Sequence, residues 1–288
     1  MRDRYGPDGP PIDWSRQPIG GSFQGIPSSP VTDRDRRHRQ AYEAALSDAS
    51  CASERDLGQH LARCAPENPC GLSFCPTCIR TVGTAYAQAA IKFTRARSPA
   101  KARSKPITRL SATPLIPALP VGALQLVNLR QVHEAVLRAL RPLRFAISFA
   151  HLHLVVNEGG GQRWNPSWRI RIYGVVVGAS VENVKQLLEP LCPNDNATTT
   201  PSLIVRASDD LDVAINNSIR PYFTRRPAYV DQASRRVARG RRLRAAELRE
   251  LALFLGSVRF EHQYLLIQEG QNVEIALRRD RSATAQKS

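Results

Sequence analysis

Four cysteines offer the clearest chemistry in this sequence. Cys64, Cys70, Cys75 and Cys78 fall in a C-x5-C-x4-C-x2-C arrangement, with Pro69, Gly71 and Pro76 turning the chain between them. Thiolates are soft donors, and four of them at turn-interrupted spacing suit a closed, structural tetrahedral zinc site. The last pair has the Cys-x-x-Cys form of a zinc knuckle. His60 is a substitute ligand by position, while Cys51 and Cys192 read as ordinary thiols. The alternative is a disulfide pair or unrelated core cysteines. It is disfavoured because the polar N-terminus reads as lacking a signal peptide, and a reducing cytoplasm keeps thiols reduced.

A second arrangement is His151-Leu152-His153. Side chains alternate along a strand, so both imidazoles share one sheet face. There they could hold a divalent cation, or be no more than half-buried sheet residues. Tyr222, further on, is the hydroxyl considered as a nucleophile beside them.

Charge sets the class of partner. The 288 residues carry 41 Lys plus Arg against 25 Asp plus Glu, a formal net charge of +16. Only five of the basic residues are Lys, so the charge is mostly planar guanidinium suited to phosphate oxygens. It is also clustered. Lys92 to Arg109 holds seven basic residues and no acidic one, and Arg220 to Arg249 holds ten Arg against two acids. A polyanion is the expected partner, nucleic acid before membrane. Candidate contacts are Arg95, Arg97, Lys101, Arg103, Lys105, Arg169, Arg220, Arg225 and Arg226. Hydrophobic residues make up 42% of the chain, which excludes a wholly disordered protein. No apolar run approaches the ~18–20 residues of a membrane helix, so no membrane role and a cytoplasmic location are expected.

The elements that must position these groups follow from periodicity. Residues 1–32, rich in Gly and Pro, and 281–288 read as disordered tails. Between them, 33–106 reads as a helix, the zinc knuckle, a second helix over Ile79 to Phe93 and a basic linker. Then 107–280 reads as one α+β domain. Its strands are Ile107 to Ile116, Leu143 to Asn157, Trp168 to Gly178 and Ser202 to Arg206. Its helices are Leu126 to Leu140, Val181 to Leu191 and Asp209 to Phe223. The order β-α-β-β-α-β-α is a split βαβ (ferredoxin/RRM-like) antiparallel sheet with one extra helix. Ala246 to Leu255 is an apolar helix expected on the sheet, and a final hairpin is expected around Gly270.

A zinc knuckle ahead of such a sheet resembles the rolling-circle replication-initiator (Rep) proteins of the HUH endonuclease superfamily. The cysteines carry the resemblance, with Asn157 to Gly178, the run Asn217-x-x-Arg220-x-x-Phe223-x-Arg225-Arg226-x-x-Tyr229, and the helix around Leu248 to Leu255. The resemblance implies a metal-binding His pair on the second hairpin strand, where Ser167 and Arg169 stand here. It also implies a helical tyrosine, where Asn217 stands. The family's pair sits on a central strand, whereas His151 and His153 fall on an earlier strand expected at the edge. The implied function is a Rep-like nucleic-acid-binding protein, related to plasmid or mobile-element replication proteins, with lost or altered cleavage and DNA favoured over RNA. One alternative is an active nickase using His151, His153 and Tyr222 with Mg2+ or Mn2+. The other is a zinc-knuckle module that contacts RNA or protein.

Overall fold

The computed structural model describes residues 30–97, 105–114, 119–143, 147–158, 166–192, 201–230, 236–238, 240–258, 260–268 and 271–272. The expected tails lie outside these residues except for 30–32, where Thr32 caps a helix. Two compact units emerge. Among the described residues, one falls within 30–85 and 244–258, the other within 86–243 and 260–272.

The first unit is helical around the cysteines. Helix α1 (Asp33–Ser47) begins with a capping box: the Thr32 hydroxyl accepts from the Asp35 amide, and the Asp35 carboxylate accepts from the Thr32 amide. Helix α2 (Ala52–Ala62) has only Leu57, Gly58 and Leu61 on its buried face. Gly58 permits close approach, since a Cβ there would lie 2.9 Å from the Leu46 Cβ. Helix α3 (Pro76–Arg97), of which Pro76 to Ala85 belong to this unit, starts on the knuckle with proline at its first position, where no donor is missed. Tyr42 and Phe74 pack their rings 5.0 Å apart in the core. The apolar helix α7 (Ala245–Gly256) belongs to this unit rather than to the sheet. It packs on α1 and α2, and the Leu255 carbonyl accepts from the Ser73 hydroxyl. It buries Glu247, Leu248, Leu251, Ala252, Leu255 and Gly256.

The second unit is α+β and rich in antiparallel pairing. Its elements are β1 (Ile107–Ala112), β2 (Leu119–Pro120), α4 (Leu129–Leu140), β3 (Ile147–Glu158), β4 (Pro166–Val177), α5 (Val181–Leu188) and β5 (Leu203–Ser208). There follow α6 (Leu211–Ser218), β6 (Arg225–Val230), β7 (Arg236–Ala238), β8 (Tyr264–Gln268) and β9 (Gln271–Asn272). The strand order is β5-β1-β4-β3-β6-β7, with β2 on β4 and β8 on β3. Register places Leu110, Ala112, Ala150 and Ile172 on one face, where they meet Val136 and Leu140 of α4 and Leu188 of α5. Ser111, His151, His153, Arg171 and Tyr173 share the other face.

Two further expectations change. Strand β3 is internal: β4 pairs along its whole length, while β8 takes Ile147 to His151 and β6 takes Val156 to Glu158 on the other side. The pairing strands come from far along the chain, so the edge placement fails. The helix expected to run to Phe223 ends at Ser218. Asp210 caps its start, and Ile219 is already extended; Pro221 lacks the amide a continuing helix would need and steers Arg220 away from the helical region. Tyr222 is therefore not on the helix.

Candidate functional site: a cysteine cluster and an imidazole pair

In the first unit the four cysteine Sγ atoms all lie within 4.8 Å of one another and are buried. The Sγ distances are 3.7 Å for Cys64–Cys75, 3.7 Å for Cys64–Cys78 and 3.6 Å for Cys70–Cys78. Sulfurs at the corners of a tetrahedron with ~2.3 Å metal bonds would be about 3.75 Å apart, so the set fits such an ion. Local structure produces this arrangement. Gly71 takes φ 74°, a left-handed turn between Cys70 and Leu72. The Cys75 amide then bonds to Leu72 O, and the Ile79 amide to Cys75 O, starting α3.

The thiols also act on one another. Hydrogen bonds from Cys70, Cys75 and Cys78 hold the Cys64 thiol far below its usual value. Burial raises Cys70, and Cys64 raises Cys78. Four thiolates together require a cation. The surrounding shell suits an anionic metal–thiolate centre: the Cys70 amide points at Cys64 Sγ at 3.5 Å, and Arg39 donates to the Cys64 carbonyl at 2.6 Å. His60 is not among the ligands; its Nε2–H donates to the Cys70 carbonyl at 2.9 Å. Asp35, fully buried, accepts a two-pronged bond from Arg80, two residues past Cys78. Cys51 and Cys192 are free thiols.

In the second unit His151 and His153 lie side by side on β3, 0% and 3% exposed, with ring centroids 6.1 Å apart. Tyr264, directly across on β8, stacks on His151 at 4.8 Å and in turn on Tyr86 at 4.4 Å. Phe223 stacks on His153 at 4.7 Å. His151 Nδ1 accepts from the Arg220 amide at 3.3 Å. The Gln263 side chain and the Ser218 backbone also hydrogen-bond His151, whereas His153 Nδ1 has no partner. An orphaned buried nitrogen costs roughly 1–3 kcal/mol.

Tyr173 is the hub beside them. The Arg220 guanidinium lies over its ring at 4.8 Å, Arg226 donates to its hydroxyl at 3.4 Å, and Arg171 is its same-face neighbour on β4. Arg171 itself donates to the Ser111 hydroxyl and the Pro201 carbonyl. Burial pushes His151 down to about 4, and the positive Arg220 adds to this. Burial also pushes His153 down, helped by His151, Arg226, Arg220 and Arg171. The imidazoles are thus neutral under three guanidiniums, and none of the charged groups acting on them is a carboxylate. Among the described residues they gather no third His, Cys, Asp or Glu ligand. Such surroundings repel a divalent cation, so the residues present do not fit Mg2+ or Mn2+.

The other basic candidates scatter. Arg95 is exposed and paired with Asp212 at 2.8 Å. Arg97 lies over the Phe93 ring, and Lys105 is exposed. Lys101 and Arg103 lie outside the described residues. Ser167 and Arg169 are half-buried on β4, on the same face as the imidazoles. Arg225 is only 6% exposed, and its backbone exchanges two hydrogen bonds with Arg241. Asn217 is exposed on α6, and Tyr222 is half-buried beyond it. Sequence reasoning missed Arg171, Tyr173 and Tyr264; their clustering depends on register between strands distant in the chain. No family model, curated protein or solved structure matches the chain. Among the described residues no helix is long and apolar enough to cross a membrane.

Proposed function

We propose that this chain is a zinc-containing, Rep-like nucleic-acid-binding protein, cytoplasmic and related to plasmid or mobile-element replication proteins, in which cleavage has been lost or altered. The observation that carries it is the guanidinium cluster at Tyr173. Arg171, Arg220 and Arg226 converge there beside two neutral imidazoles, with no carboxylate among the groups acting on them. Like charges held together without counter-charge favour an anion, and a phosphodiester backbone is the polyanion that a +16 chain meets most readily. The strand order β5-β1-β4-β3, with α4 and α5 on the face opposite the histidines, is the order a split βαβ plan requires and supports the Rep-like reading. Zinc is the ion assigned to the cysteines, since four thiolates in tetrahedral array select it among abundant divalent metals. DNA is favoured over RNA on the resemblance.

One observation favours the nickase instead: both imidazoles sit on one face of an internal strand, where a metal pair would be placed. Binding of single-stranded and supercoiled DNA, with and without manganese, separates the two. Salt-sensitive binding without nicking supports the first; metal-dependent nicking lost in His153→Ala supports the second. Tighter binding to competing RNA would remove the DNA preference.

A further inference from the structure

We propose that residues 219–224 form a strap that closes over the His151–His153 pair and is released when a nucleic-acid phosphate captures Arg220. The proposal rests on the nucleic-acid reading above. Both ends of the strap are anchored. Ser218 is buried at the end of α6 and donates its hydroxyl to Ala214 O at 3.0 Å, while Arg225 exchanges backbone bonds with Arg241 at 2.9 and 2.7 Å and joins the β3 ladder.

Between these anchors the strap is held by its contacts with β3 and β4. The Arg220 amide reaches His151 Nδ1 at 3.3 Å, its exposed guanidinium rests on the Tyr173 ring, and the Phe223 ring lies 3° from parallel with His153. The Thr224 carbonyl accepts from the Val156 amide of β3 at 3.4 Å. Beneath the strap, His153 Nδ1 has no partner, while His151 is also held by the Gln263 side chain and the Ser218 backbone. A buried polar atom left unpaired marks a state the structure can leave at a gain, since opening lets water or a ligand satisfy it.

The trigger is a competition. An exposed arginine on a tyrosine face is weakly held, whereas a phosphate offers it two charge-assisted hydrogen bonds. Movement of Arg220 withdraws its amide from His151. Pro221, whose φ is fixed, transmits that displacement toward Phe223 rather than absorbing it. The bistable element is the strap, and the ligand shifts its population by binding only the open form.

Amide exchange on the full chain, with and without a short oligothymidylate, tests this. Release predicts several-fold faster exchange in 219–224 on binding, with new diethyl pyrocarbonate labelling of His151 and His153. Slower or unchanged exchange in that segment, with binding demonstrated in the same sample, overturns it. Phe223→Ala without nucleic acid tests the closure separately: the imidazoles should label while β3 and β4 amides stay protected. Labelling that appears only with loss of β3–β4 protection overturns the strap as a local element. Absence of any oligothymidylate binding would sink both the nucleic-acid reading and the trigger, and leave the closure to be judged by Phe223→Ala.

Discussion

The cysteine cluster and the imidazole pair are both buried sets of metal-ligand residue types, yet their surroundings have opposite consequences. Around the cysteines, four sulfurs fit a closed coordination sphere, and the Cys70 amide and Arg39 support a negative centre. Around the histidines, two nitrogens complete nothing, and Arg171, Arg220 and Arg226 make the site positive. Residue type alone does not make a metal site. Ligand number and the sign of the local field decide whether a cation or an anion is welcome.

The largest effect should come from breaking the cysteine side of this comparison. Cys75→Ser, or chelation of the wild type, should release the metal and unfold residues 60–80, because apparent binding free energies of structural zinc reach about 10–16 kcal/mol in small domains. Metal analysis with amide exchange checks this; equal metal content in wild type and variant would show that the ion lies elsewhere. The sheet unit should keep its exchange protection.

On the arginine side, replacing Arg220 and Arg226 by alanine should weaken DNA binding and flatten its salt dependence by about one unit for each phosphate no longer neutralised. Titrations across a range of salt concentrations read this directly. Arg225→Ala belongs to a different class. Its side chain is buried, so reduced stability should dominate over any change in salt slope.

Acid sharpens the contrast further. His151 is held at about 4 in the fold, against 6.5 ordinarily. Between those values the unfolded chain binds a proton that the folded chain refuses, so stability should fall as pH drops through that window. Thermal unfolding of wild type against a His151→Gln, His153→Gln double variant measures it; a shallower pH dependence in the variant is expected. The smallest effect is His60→Ala, which removes one hydrogen bond to the Cys70 carbonyl and should cost about 1 kcal/mol without losing the metal.

The two regions also differ in how far the sequence foretold them. The cysteine cluster was legible because its ligands sit on one short segment, where spacing and turn residues nearly determine geometry. The alternation in β3 and β4, and the common face of the two histidines, were legible for the same local reason. The internal position of β3 was not, since Arg225 to Pro227 and Tyr264 to Gln268 supply its second side. Helix α2 escaped notice because its buried face is only Leu57, Gly58 and Leu61. Helix α7 was recognised but assigned to the sheet. An apolar helix declares that it will be buried, not against what, and here α1 and α2 cover it. The helix end at Ser218 was legible in Pro221 and was overridden by the apolar pattern beyond it.

The central claim is that the histidine face binds a nucleic-acid backbone without cutting it. End-labelled single-stranded DNA incubated with the full chain and manganese, then split between native and denaturing gels, tests this most directly. A salt-sensitive complex on the native gel and no shifted band on the denaturing gel is the predicted result. A labelled protein–DNA band that survives denaturation and disappears in Tyr222→Phe would contradict it and establish the nickase.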